Sequence, residues 1–197
     1  MATVQGQSVG PMTATGTDPR NVDGQAIAIT VFSAVKPWGR LWLALVFLWA
    51  RAFPKSQGKL ARLSFIHFAR WSVIRRLPHQ RLNHPQLFFE SNFNGGWQEY
   101  IDAFSHILTR GMKWFWGTSY GFPQPLPTGP FKKYIQAHEL TASHFYSAYP
   151  EATTTIVLSA LELDARLDAF KQRTRNVDAD AFAQAWKDFV TDIQEHL

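Results

Sequence analysis

The sequence predicts an α+β fold, an antiparallel sheet with helices on one face followed by a C-terminal helical hairpin. Two observations carry this expectation: short apolar runs with strand-like alternation are interleaved with segments of helical period, and residues 151–197 carry helical period alone. A third bounds the size. With 197 residues, 46% of them apolar and 15% aromatic, the chain can bury one substantial core but is too short for two large domains. The expected organisation is a disordered tail over residues 1–23 and a single domain over 24–197, with a sheet-bearing core at 24–150 and a helical extension at 151–197.

Residues 1–23 are rich in Gly, Ser, Thr and Pro and hold almost no large apolar side chain, so they cannot offset the entropy of ordering. In GQAIAITVFSAV, Ala, Ile, Val and Phe dominate a run of strand length, and Lys36 and Pro37 end it; this is the first strand. The next segment, PWGRLWLALVFLWARAF, is a helix apolar on nearly every side. Its uncharged part, residues 41–50, lies between Arg40 and Arg51 and is half the length of about 20 residues needed to span a bilayer. Such a helix is either deeply buried, the expectation favoured here, or lies in a membrane interface with Trp42, Trp49, Arg40 and Arg51 at the headgroup boundary.

Residues 63–74 alternate, with His67, Ala69, Trp71 and Val73 in one set and Phe68, Arg70, Ser72 and Ile74 in the other. Both sets are largely apolar, which predicts a strand covered on both faces. The basic turn RRLPHQRLNHP leads into QLFFESNF, its antiparallel partner, where Phe89 and Ser91 oppose Glu90 and Asn92. Asn94, Gly95 and Gly96 precede one helix running to Lys113, with Trp97, Tyr100, Ile101, Phe104 and Leu108 inward; His106 belongs to its solvated face. A proline-rich loop, GTSYGFPQPLPTGP, follows. Gly129 and Pro130 open a short helix with Phe131, Tyr134, Ile135 and His138 on one stripe. SHFYSAY, at 143–149, reads as the last strand. A helix over about residues 153–172 places Ile156, Ala160, Leu163, Leu167 and Phe170 at core spacing, and Asp178 caps a final helix carrying Phe182, Trp186, Phe189 and Ile193.

Strand, helix, strand, strand, helix and, after an insertion, strand is the βαββαβ order of a ferredoxin-like unit. Both helices then cover one sheet face, and the apolar outer face of the second strand needs another cover. A homodimer stacking two sheets face to face supplies it, unless the C-terminal hairpin or the proline-rich loop does so within one chain.

Composition narrows the chemistry. Without cysteine there are no disulfides, thiolate metal sites, Fe–S clusters or thiol nucleophile, and the chain suits a reducing compartment. The first residues have neither a basic n-region nor an apolar h-region, so no signal peptide is expected and cytoplasmic is the default localisation. The net charge of +5 hides +9 over residues 1–89 and −4 over 90–197. That polarity suits an anionic membrane, a nucleic acid or a second copy of the chain, or else two faces of one domain that meet each other.

The pieces LSFIHFARW, LFFESNFNGGWQEYIDAF, FKKYI and HFYSAYPEATT resemble a family of bacterial domains of unassigned function. S-N-F-N-G after an aromatic strand, followed by W-x-x-Y-I-D-x-F, is distantly similar to the dimeric α+β barrel superfamily, which includes haem-binding peroxidases and chlorite dismutases. The resemblance spans residues 63–150 and implies the fold, a dimer and haem as a cofactor to test. The peroxidase G-x-x-D-G motif is absent, and no catalytic residue carries over.

Candidate pocket residues follow from the elements. Histidine is the natural haem ligand and general base near neutral pH, which singles out His67, His138 and His144, the last beside Tyr146. His67 and Arg70 lie on opposite strand faces, so Arg70 instead meets Glu90 or Asn92 across the antiparallel pair if the register allows. No metal-binding H-x-x-x-H or H-E-x-x-H, nucleophile elbow or phosphate-binding loop is present. Nucleic-acid binding is disfavoured because the aromatics among the arginines alternate into buried faces. The leading expectation is a site for a small apolar or aromatic molecule on the sheet, lined by Arg70, Glu90, Asn92 or His67. The alternative is a membrane-surface or protein-association module using the basic N-terminal half.

Overall fold

In the computed structural model, residues 18–53, 58 and 62–194 are described. The chain divides into two compact units, the first ending at Glu151 and the second beginning at Ala152. The first unit is built on an antiparallel sheet of β1 (Val22–Asp23), β2 (Ala26–Ala34), β3 (Ile66–Leu77) and β4 (Gln80–Phe93), in the order β1-β2-β4-β3. Helix α1 (Gly39–Ala52) follows β2, and α2 (Trp97–Ile107), α3 (Thr109–Trp116) and α4 (Thr128–His138) follow β4. Period-two burial orients the strands: Ile29, Val31 and Ser33 of β2 and Leu87, Phe89, Ser91 and Phe93 of β4 are buried on one face. The helices meet them there. Phe93 stacks on Tyr100 at 3.9 Å, Phe89 meets Trp116 edge-on at 5.0 Å, and Trp71 of β3 stacks on Phe115 at 5.1 Å.

The outer edge of β2 is satisfied piecemeal. β1 pairs with its first residues, Glu139 bridges Val31, and Ser119 bridges Val35. Gly24 turns β1 into β2 with φ +59, and a side chain there would run into the Pro150 backbone, whose carbonyl accepts from Gln25 N at 2.7 Å.

Several expectations are corrected. Order begins no later than Asp18, which caps a 3₁₀ turn at Pro19–Asn21, so the tail does not extend to residue 23; residues 1–17 lie outside the described residues. The strand expected at 143–149 is not formed. The place beside β2 is already held by β1 and Glu139, and Ser147 N donates instead to the Asp23 carboxylate at 2.7 Å. The single helix expected to Lys113 breaks at Leu108, where the Thr109 hydroxyl sits 2.6 Å from the Ser105 carbonyl and donates to it in place of a solvent partner. β3 is covered on one face only: Phe68 is 46% exposed, and Arg70 and Ser72 on the same side are exposed. Deep burial of α1 does not hold either, as described below.

In the second unit, α5 (Thr154–Arg173) and α6 (Ala179–Asp192) pack through Phe170, Phe189 and Ile193, with Phe170 and Phe189 stacked at 4.7 Å. Thr153 and Asp178 cap their N-termini by accepting from Ile156 N and Ala181 N. Leu163 and Leu167 join this core, whereas Ile156 and Ala160 of the expected stripe are exposed.

Candidate functional site

Leu, Ala and Arg give α1 good helix propensity, with Val46 its only β-branched residue. Gly39 lies against Thr118, where a Cβ would stand 2.6 Å from the threonine Cβ, so the helix start is clamped to the loop after α3. Leu43 and Val46 turn inward and Phe47 reaches Phe115 of α3 at 5.5 Å. The opposite side is bare: Leu41, Leu45 and Leu48 are 69%, 54% and 64% exposed. Trp42 Nε1 donates to the Trp114 carbonyl at 2.9 Å, and Trp49 meets the Trp114 ring edge-on at 5.4 Å. Trp42, Leu45, Val46, Trp49 and Trp114 thereby line a shallow apolar groove of about 200 Å³. Arg40 and Arg51 on α1 and Arg110 and Lys113 on α3 are exposed, Arg40 and Arg51 on the flank of α1 away from Trp42 and Trp49, and neither helix carries an acid. Among the described residues these four cations form no ion pair. The exposed leucines of α1 thus lie between Trp42 and Trp49 on one flank and Arg40 and Arg51 on the other.

On the sheet, the register pairs Arg70 with Glu90 and Phe68 with Asn92, so Arg70, Glu90 and Asn92 share the helix-free face. Arg70 Nε donates to Glu90 Oε2 at 2.7 Å and its guanidinium lies 5.1 Å over Phe88, which contacts Phe32 at 5.1 Å. The arginine side chain is 64% exposed, so the pair decorates an open surface rather than an enclosed pocket. His67 is the extra residue of a bulge between Ile66 and Phe68 and is exposed. His138 lies in the helix layer, its Nδ1 2.8 Å from the Tyr134 carbonyl and its ring 4.3 Å from the Tyr134 ring. His144 and Tyr146 are exposed on the irregular segment after α4. The structure therefore joins three of the seven candidates and separates the rest. None of the three histidines lines the apolar groove, so the donor set does not fit a haem seated there. No group of three or more metal-binding side chains occurs among the described residues.

Sequence reasoning missed Glu139. It is the only acid between Asp102 and Glu151, and that isolation at the end of an amphipathic helix was the available signal. Its carboxylate accepts from Trp97 Nε1 at 3.1 Å and from Asn21 Nδ2 at 3.5 Å, while Asn21 Oδ1 accepts from Ala142 N at 2.7 Å. Burial, helped by the nearby Asp18 charge and opposed by the indole bond, pushes the Glu139 carboxyl up to about 7. Asp18 moves the other way, to about 2, because Arg20 holds it through side-chain and backbone hydrogen bonds. Glu139 thus ties Asn21 and Trp97 to the end of α4.

Comparison with protein-family models, with curated proteins and with solved structures yields no match to this chain.

Proposed function

We propose that this protein associates with the surface of an anionic membrane, on the cytoplasmic side, by laying α1 in the interface. The observation that carries this reading is the exposed face of Leu41, Leu45 and Leu48, flanked on one side by Trp42 and Trp49 and on the other by Arg40 and Arg51, which form no ion pair among the described residues. Tryptophan suits the headgroup boundary because its ring is apolar and its N–H polar, and arginine can bury its stem while keeping its charge in water. Charge supports the same occupant. Residues 24–89 contain ten Lys or Arg and no Asp or Glu, and each such cation near an anionic leaflet contributes about 1 kcal/mol. A second copy docking α1 against α1 would bring like charges together, which opposes self-association through this face. No helix among the described residues is long and apolar enough to cross a membrane.

We read the sheet as a reduced ferredoxin-like unit of β2, β4 and β3, with β1 and the Glu139 bridge in place of the last strand. Its helix-free face supports a second reading, a homodimer of stacked sheets or a flat apolar ligand, because Phe32, Phe68 and Phe88 sit there beside both signs of charge. A monomeric mass at high concentration would remove the dimer. For the leading reading the test is co-sedimentation with phosphatidylserine-containing vesicles at low and moderate salt; a protein left in the supernatant at low salt refutes it.

A further inference from the structure

We infer that the tip of the β3–β4 hairpin is a second contact on the same membrane, a cationic ribbon that engages lipid headgroup phosphates; this rests on the membrane reading of α1. β2 ends at Ala34, opposite Gln86, so the hairpin runs on past the sheet as two strands alone. From Pro85 to Gln80 the overhang projects roughly 16 Å at strand rise. Arg75, Arg76, His79, Arg81 and His84 are all exposed on it.

Within this hairpin the treatment of charge differs from root to tip. At the root, Arg70 faces Glu90 and pairs with it at 2.7 Å. At the tip, Arg76 stands directly across from Arg81. Opposed like charges destabilise a strand pair, and nothing within the hairpin relieves them: residues 66–89 contain no acid, and Arg75, Arg76 and Arg81 form no ion pair among the described residues. A phosphate between the two guanidiniums supplies the missing charge and accepts from both in forked geometry.

The ribbon is also joined to α1. Val35 N donates to the Pro85 carbonyl at 2.8 Å, the next residue, Lys36, donates its N–H to the Thr118 carbonyl at 2.9 Å, and Thr118 is the residue against which Gly39 packs. The root of the ribbon and the first turn of α1 thus meet at one end of the sheet. Continuity with an exposed apolar helix favours a lipid surface over a nucleic acid, which would gain nothing from Leu41 and Leu48.

The test uses the full chain with Arg76→Gln plus Arg81→Gln, against Leu41→Glu plus Leu48→Glu, on phosphatidylcholine vesicles with and without phosphatidylserine. The arginine variant should lose roughly 30-fold in affinity for the phosphatidylserine vesicles, about fivefold per cation, with a shallower salt dependence. Its weaker binding to phosphatidylcholine alone should be unchanged, and its melting temperature should not fall. The leucine variant should lose both vesicle types. Wild-type affinity in the arginine variant overturns the ribbon while leaving α1 standing; no wild-type binding to either vesicle overturns both. Displacement by dilute inorganic phosphate, or tighter binding to a single-stranded oligonucleotide than to vesicles, overturns the membrane as the ribbon's partner.

Discussion

Two side chains show what burial does to single groups in this protein. Glu139 ordinarily titrates near 4.5 and is pushed up to about 7 in the fold. Between those values the folded protein holds a proton that the unfolded chain has released, so stability falls as pH rises through that window. Glu139→Gln keeps the group neutral at every pH; thermal melts should place the variant above wild type at pH 8, by a few kcal/mol at most, and level with it near pH 5. Equal melting temperatures at pH 8 would contradict the assignment. Ser105 is simpler. Its hydroxyl is buried in α2 without a hydrogen-bond partner among the described residues, so Ser105→Ala removes an unpaired polar atom and improves helix propensity. Denaturant titration should show a gain of about 0.5–1.5 kcal/mol. The sequence marks Glu139 only by its isolation and does not mark Ser105 at all. Ser105 falls beside the inward stripe that periodicity identifies, but periodicity does not say whether a hydroxyl finds a partner, and Glu139 depends on Trp97 and Asn21, which lie 42 and 118 residues away.

At the scale of elements, amphipathic pattern decided what could be read. β2, β4, α2 and α4 alternate or repeat with one clear apolar face, and the structure buries that face in each. Alternation put Arg70 on the face of Glu90 and Asn92 but left the register open, and the register pairs it with Glu90. α1 is apolar on nearly every side, so its pattern does not settle which side turns inward; Phe115 and Thr118, from beyond α2, decide it. The exposed side makes a specific expectation. Leu41→Glu with Leu48→Glu should abolish vesicle binding yet leave the melting temperature within a degree or two, because both side chains already face water. A large loss of stability would mean that α1 is covered by protein instead. The 143–149 segment shows the converse failure: its aromatic alternation resembles a strand, but strand formation needs a free edge, and β2 has none left beside it.

For the molecule as a whole, the two units differ greatly in what they bury. The first has a core spanning three strands and four helices, whereas the second rests on Phe170, Phe189 and Ile193 with a few half-buried neighbours. A unit of that size rarely sustains itself on one small core. Hydrogen exchange should therefore find the α5 and α6 amides opening at least tenfold more readily than those of β2 and β4; matched protection would count against two separate units. The expected division near residue 150 was drawn from the change in period alone. The outer edge of β2, finally, is closed by residues 22–23, 119 and 139, pieces separated by most of the first unit. During synthesis on a ribosome, that edge can be finished only after residue 139 has emerged. Until then the nascent chain presents unpaired backbone on an apolar strand to any other chain nearby, which makes the interval before α4 is complete the period of greatest aggregation risk.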